Sequence, residues 1–110
     1  MKVSSLRDIL QLNVFTQESD GEITGGYASD LLSDVMGRMD EGMIWVTMQT
    51  HQNIVAVASL KEASAILIVN GLVPDEETIA KSREEKVVLL GTAMPAFEVC
   101  GKIYALLNKE

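Results

Sequence analysis

The sequence predicts an α/β protein, a three-layer α/β/α arrangement around a mostly parallel sheet of about four to five strands. Three observations predict it. Residues 43–48 (Met-Ile-Trp-Val-Thr-Met), 65–69 (Ala-Ile-Leu-Ile-Val) and 87–90 (Val-Val-Leu-Leu) are nearly continuous runs of apolar, β-prone residues, the pattern of strands covered on both faces. Between and after these runs lie segments whose apolar residues recur at helical spacing, joined by short polar connections. Parallel strands need crossovers, and helices supply them, so buried strands alternating with helices imply a parallel sheet with helices on both faces. At 110 residues and 47% hydrophobic, the chain is long enough for one core and too short for two, so residues 1–110 are expected to form a single domain.

In chain order, Ser4 or Ser5 is placed to cap a short helix carrying Leu6, Ile9, Leu10 and Leu12. Asn13-Val14-Phe15-Thr16 reads as a brief strand, and residues 17–21 as a polar loop. Thr24-Gly25-Gly26 reads as a double-glycine turn running into a helix capped by Ser29 or Asp30, with Leu31, Leu32, Val35 and Met36 on one face and Gly37 at its end. Asp40-Glu41-Gly42 reads as a turn before the first buried strand. From Thr50 or Asn53 a helix runs to about Ala63, although its Val and Ala content leaves helix and strand both open. The second buried strand ends at Asn70-Gly71, and Pro74-Asp75-Glu76-Glu77 opens a helix that continues through Ile79, Ala80 and Arg83. Gly91-Thr92 closes the third buried strand. A last helix spans 96–107, with Phe97, Cys100, Ile103, Tyr104 and Leu107 expected on its apolar face.

Composition excludes several function classes. A formal charge of −7, with nine scattered basic residues, opposes binding to nucleic acid or to an anionic membrane. No apolar stretch approaches the roughly 20 residues of a membrane span, and the first residues lack the basic-then-apolar layout of a signal peptide, so a cytoplasmic protein is expected. Cys100 is the only cysteine and lies in an apolar-periodic segment, which reads as a buried small hydrophobe.

Glu22-Ile23-Thr24-Gly25-Gly26 resembles the signature of the DRTGG domain, a family named for the letters Asp-Arg-Thr-Gly-Gly. The resemblance extends through residues 29–36, 50–58, 74–77 and 95–98, and so covers the chain from about Asp20 onward. Glu22 stands for the Asp, Thr24, Gly25 and Gly26 match, and Ile23 replaces the Arg, which removes the one cationic group of the signature. The resemblance implies a fold similar to the N-terminal domains of HPr kinase and of Mur ligases, in a regulatory accessory rather than a catalyst. It implies a homodimer with Glu22, Thr24, Gly25, Gly26, Ser29 and Asp30 at or near the subunit contact, docking on a metabolic enzyme. Redox enzymes such as iron hydrogenases are the partners suggested for stand-alone members.

The residue inventory argues against catalysis. The Gly-x-x-x-x-Gly-Lys-Ser/Thr phosphate loop of a kinase is absent from the sequence. His51 is the single histidine, too few ligands accompany it for a zinc site, and it reads as a polar helix-entry residue. Asp30 and Asp34, four residues apart, read as a solvated acidic helix face in preference to a Mg²⁺ site. No nucleophile has a histidine and an orienting acid beside it. No cofactor or metal is expected. In an open parallel sheet, ligands bind beyond the carboxyl ends of the strands. The segments there supply Thr50, His51, Asn53, Asn70, Gly71 and Thr92, a neutral hydrogen-bonding rim. Such a rim suits a small metabolite or adenine nucleotide, and it equally serves to satisfy strand-end backbone groups.

Overall fold

The computed structural model describes residues 1–109. The elements are α1 (Val3–Leu10), β1 (Asn13–Thr16), β2 (Gly25–Ala28), α2 (Leu32–Arg38), β3 (Met43–Thr47), α3 (Asn53–Leu60), β4 (Ala65–Ile68), α4 (Glu76–Glu84), β5 (Leu89–Gly91) and α5 (Ala96–Leu107). The sheet has five strands in the order β1-β5-β4-β3-β2. Strands β2 to β5 are parallel, and β1 pairs antiparallel to β5 with a register shift between Val14 and Thr16.

The apolar runs become strands because both of their faces are covered. Along β3, Ile44 and Val46 face one core and Trp45 the other; along β4, Ala65 and Leu67 alternate in the same way with Ile66 and Ile68. A right-handed crossover repeated without a change of direction puts each connecting helix on the same face. Accordingly α2, α3 and α4 cover the Trp45 face, contributing Val35, Ile54 and Ile79, while α1 and α5 cover the other through Leu6, Val99 and Ile103.

Trp45 is fully buried, and its indole N–H donates to the Ser29 carbonyl at 2.9 Å, which ties the exit of β2 to the neighbouring strand. Thr16, on β1, donates to the Val87 carbonyl at 3.1 Å and shares a hydrogen bond with Ser82 of α4 at 2.9 Å. Buried hydroxyls are thus paired where the edge strand meets the α4 end.

Several sequence expectations are corrected. The glycine pair is not a turn: Gly25 and Gly26 lie in β2, paired with Met43 and Ile44 of β3, and neither has a positive φ. The strong neighbour β3 recruits this weak segment into the ladder. Neither Ser4 nor Ser5 caps α1. The helix starts at Val3, and Asp20 reaches it from a distant loop, accepting from the Ser4 N–H at 2.8 Å and the Ser4 hydroxyl at 2.6 Å. Gly37 does not end α2, which continues to Arg38 and delivers the fully buried Met39 to the core; Leu31 and Met36, expected inside, are exposed. On α5 the buried face is Val99 and Ile103. Phe97 is 94% exposed and Tyr104 72%. That helix is apolar around most of its circumference, so spacing alone does not select the buried face.

Of the two positive-φ glycines, Gly42 and Gly71, the more confined is Gly42, in the turn before β3, at φ 84°. A Cβ there would stand 2.7 Å from the Thr24 methyl group, and Thr24 itself donates to the Glu41 carbonyl at 2.9 Å. By contrast, a Cβ at Gly25 or Gly26 would meet its nearest neighbours at 3.6 and 3.5 Å, ordinary contact. We therefore expect Gly42→Ala to cost about 1–3 kcal/mol through left-handed strain and the Thr24 clash. Gly25→Ala should stay within about 0.5 kcal/mol of the parent. Urea unfolding of the two variants checks the contrast, and equal destabilisation would contradict it.

Candidate functional site

The residues of the signature are gathered around β2 as connectors. Glu22 accepts from the Met1 ammonium at 2.7 Å, beside the bridge between Lys2 and Glu22. Thr24 holds the Glu41-Gly42 turn. Ser29 accepts the Leu31 N–H at 3.1 Å, just before α2. Asp30 points to the next strand: its Oδ1 accepts the Thr47 hydroxyl at 2.8 Å and the Met48 N–H at 2.7 Å, and its carbonyl accepts from the Gln49 amide at 2.9 Å. Asp30 therefore latches the β2–α2 connection to the end of β3.

Beyond the carboxyl ends of β2, β3 and β4 this latch borders a cleft of ≈180 Å³, whose lining includes Ser29, Asp30, Thr47, Met48, Val69 and Ala96. The cleft thus lies between strand ends and the first residue of α5. The strand order of β2 to β5 never reverses, so the sheet has no switch-point crevice between its parallel strands, and α5 returning over the opposite face bounds this space instead.

The six rim residues form two groups. Asn70, Gly71 and Thr92 are brought together: Gly71 donates to the Thr92 carbonyl at 2.9 Å, and Thr92 donates to the Ile68 carbonyl at 2.9 Å. Asn70 and Gly71 adopt φ 61° and 68°. The Asn70 side chain donates to Met48 Sδ at 3.0 Å. Thr50, His51 and Asn53 belong to the β3–α3 connection. The Thr50 carbonyl accepts from Asp75 and from the Thr78 hydroxyl, at 3.1 and 2.7 Å, which directs this group toward α4. His51 Nδ1 accepts the Asn53 N–H at 3.1 Å, satisfying a donor of the first turn of α3. Backbone satisfaction is thus a role that the rim residues fill within the chain. None of the six lines the cleft. Thr47 and Met48, which do, had one signal in the sequence: a threonine inside an apolar strand needs a partner for its hydroxyl.

A second concavity, ≈210 Å³, lies between β2 and α5, with Gly26, Ala28, Ile44, Cys100, Tyr104 and Leu107 in its lining. It is apolar. Burial pushes the Cys100 thiol up, so at neutral pH it is the uncharged form and a poor nucleophile. Among the described residues no group of three or more His, Cys, Asp or Glu lies together to hold a metal ion, and no helix is long and apolar enough to cross a membrane.

The charged groups are tuned by local pairing. The Ser4 hydroxyl and N–H hold the Asp20 carboxyl below its ordinary value, the Met1 ammonium does the same for Glu22, and the Tyr27 hydroxyl, donating at 2.8 Å, does so for Asp34. Glu41 moves the other way, because its hydrogen bond and repulsion with Glu62 favour the protonated form.

Compared by sequence, no protein-family model and no curated protein matches the chain. Compared by structure, the fold is one already seen in a regulatory α/β region. The chain is similar to the crystal structure of the CBS and DRTGG domains of the regulatory region of Clostridium perfringens pyrophosphatase, complexed with the activator diadenosine tetraphosphate. The TM-score is 0.71 at 14% identity, covering 91% of this chain and 44% of that one. The fold is therefore DRTGG-like, and the chain spans less than half the length of that relative.

Two outcomes follow. Asp30→Ala should cost about 1–3 kcal/mol, because the Met48 N–H and the buried Thr47 hydroxyl lose their acceptor; denaturant unfolding reads it. For pH, carboxyls depressed in the folded state contribute stability that is complete above their unfolded values and is lost as pH falls through the folded ones. Asp20→Asn should therefore flatten the loss of urea midpoint between about pH 5 and pH 2. Glu62→Gln should remove the opposing contribution of Glu41.

Proposed function

We propose that the protein is a non-catalytic regulatory or accessory module, a homodimer that docks on or modulates a metabolic enzyme. The observation that carries this reading is the DRTGG-like fold shared with the regulatory region of a pyrophosphatase. The site inventory supports it, since the polar groups near the strand ends are engaged with one another and with backbone. The unpaired outer edge of β2, with the signature residues around it, supports a contact on that side. A redox enzyme of the hydrogenase type is the partner that the family resemblance suggests.

A second reading, a sensor of a small molecule or adenine nucleotide, is favoured by one finding: the similar regulatory region was crystallised with a diadenosine activator. In this chain the strand-end cleft would be the place, lined by Ser29, Asp30, Thr47 and Met48; of Thr50, His51, Asn53, Asn70, Gly71 and Thr92, the residues expected to bind, Asn70 is tied to that lining through Met48. At ≈180 Å³ it is smaller than the roughly 300–1,000 Å³ of drug-sized sites, and the Asp30 carboxylate in its lining repels phosphate. The cleft suits a fragment such as a ribose or a base.

Sedimentation at tens of micromolar should show a dimer, and co-purification from the native cell should recover one enzyme in stoichiometric amount. A strict monomer recovered alone would remove this function. For the sensor, a ligand at about 100 times its dissociation constant should add about 2.7 kcal/mol of stability. The absence of any thermal shift with millimolar nucleotides would set that reading aside.

A further inference from the structure

The outward face of α5 combines features that packing within the chain does not account for. Phe97 is 94% exposed and Tyr104 72%, and Gly101 lies between them on the same face, at positions i, i+4 and i+7. Glycine in a helix interior is unfavourable relative to alanine. A Cβ at Gly101 would meet nothing within 4 Å, so among the described residues no neighbour excludes a side chain there. The same is true of Gly26, where a Cβ would meet Ile44 only at the ordinary contact distance of 3.5 Å; its bareness deepens the apolar groove that Tyr104 also lines. Two aromatic projections flanking a glycine, beside an apolar recess, form a surface that admits another backbone closely.

Resting on the homodimer reading above, we propose that two copies of the chain meet through this face, their α5 helices packed antiparallel about a two-fold axis near Gly101. A two-fold interface is made of one patch that must complement itself, so it needs both projection and recess. Phe97 and Tyr104 are the projections, and they pair as aromatic rings on either side of Gly101, the recess at which the two backbones approach. Charge fits the same arrangement. The face carries no Asp, Glu, Lys or Arg at 97, 101, 104 or 105 in a chain of net charge −7, which keeps the seam free of the general repulsion. Glu98 and Lys102 flank it on one side. In an antiparallel pair the same flanks of the two helices face each other. The midpoint between Phe97 and Tyr104 nearly coincides with that between Glu98 and Lys102. The register that sets Phe97 against Tyr104 of the partner subunit therefore sets Glu98 beside Lys102 of the partner subunit. A second copy supplies this complement automatically.

The test is sedimentation velocity with the full chain, the wild type beside Phe97→Asp and Gly101→Gln. The wild type should sediment at twice the 12.0 kDa chain mass. Each variant should weaken the dimer by about 30-fold or more, as loss of a central interface residue does. Gly101→Gln should at the same time raise the melting temperature of the isolated monomer, since glutamine enters open space and favours the helix. A merely structural role would instead lower it. If Phe97→Asp fails to fold, Gly101→Gln alone decides. Dimeric wild type with both variants still dimeric overturns this seam and leaves the homodimer reading standing. Monomeric wild type overturns both, and a monomer that loses an enzyme partner on Phe97→Asp would assign the face to a foreign protein, which also overturns it.

Discussion

A parallel sheet buried on both faces is the constraint from which the rest of the architecture follows. Ile44, Val46, Ala65 and Leu67 on one side, and Trp45, Ile66 and Ile68 on the other, leave neither face of β3 and β4 for water. Each face must then be covered by helices, and the direction of the crossovers decides which. Three helices between consecutive strands occupy one face, so the other depends on the first and last helices of the chain, α1 and α5. Those two therefore bear on a common core although they are far apart in sequence. The long-range ties made by Asp20 and Glu22 to the start of α1 fit that need, because they fix a helix that no crossover positions.

The central strands were legible because burial on both faces leaves a run with no polar alternation; residues 54–58 form a similar run, which is why helix and strand both stayed open there. The limits of Asn13–Thr16 and Ala96–Leu107 were also legible, the first from its β-prone residues before the polar loop 17–21, the second from the extent of its apolar periodicity. Strand β2 was not. Glycine has little strand preference of its own, and Gly25 and Gly26 become extended because β3 offers a complete row of partners. The orientation of α5 was hidden for a different reason: Phe97, Val99, Cys100, Ile103 and Tyr104 surround the helix, and only the position of the sheet distinguishes inside from outside.

The candidate site divides along similar lines. Sequence placed Thr50, His51, Asn53, Asn70, Gly71 and Thr92 on one rim because each follows a buried strand; local turns join Asn70, Gly71 and Thr92, whereas the Thr50 group turns toward α4. It did not foresee that Asp30 reaches across to Thr47, since that contact depends on which strands are neighbours. What emerges is a set of strand ends fastened by their own side chains. Their hydrogen bonds go to backbone and to neighbouring side chains of the same connections.

The two margins of the sheet differ in kind. At β1 the ladder is antiparallel and irregular, with the register slipping between Val14 and Thr16, and an added strand would find no even row of donors and acceptors. At β2 the row is regular, and three of its four residues are glycine or alanine. A sheet with one blunted margin and one open one accepts extension a single time. Two copies that paired through the open margin alone would therefore form a closed pair, because neither has a second even row to offer.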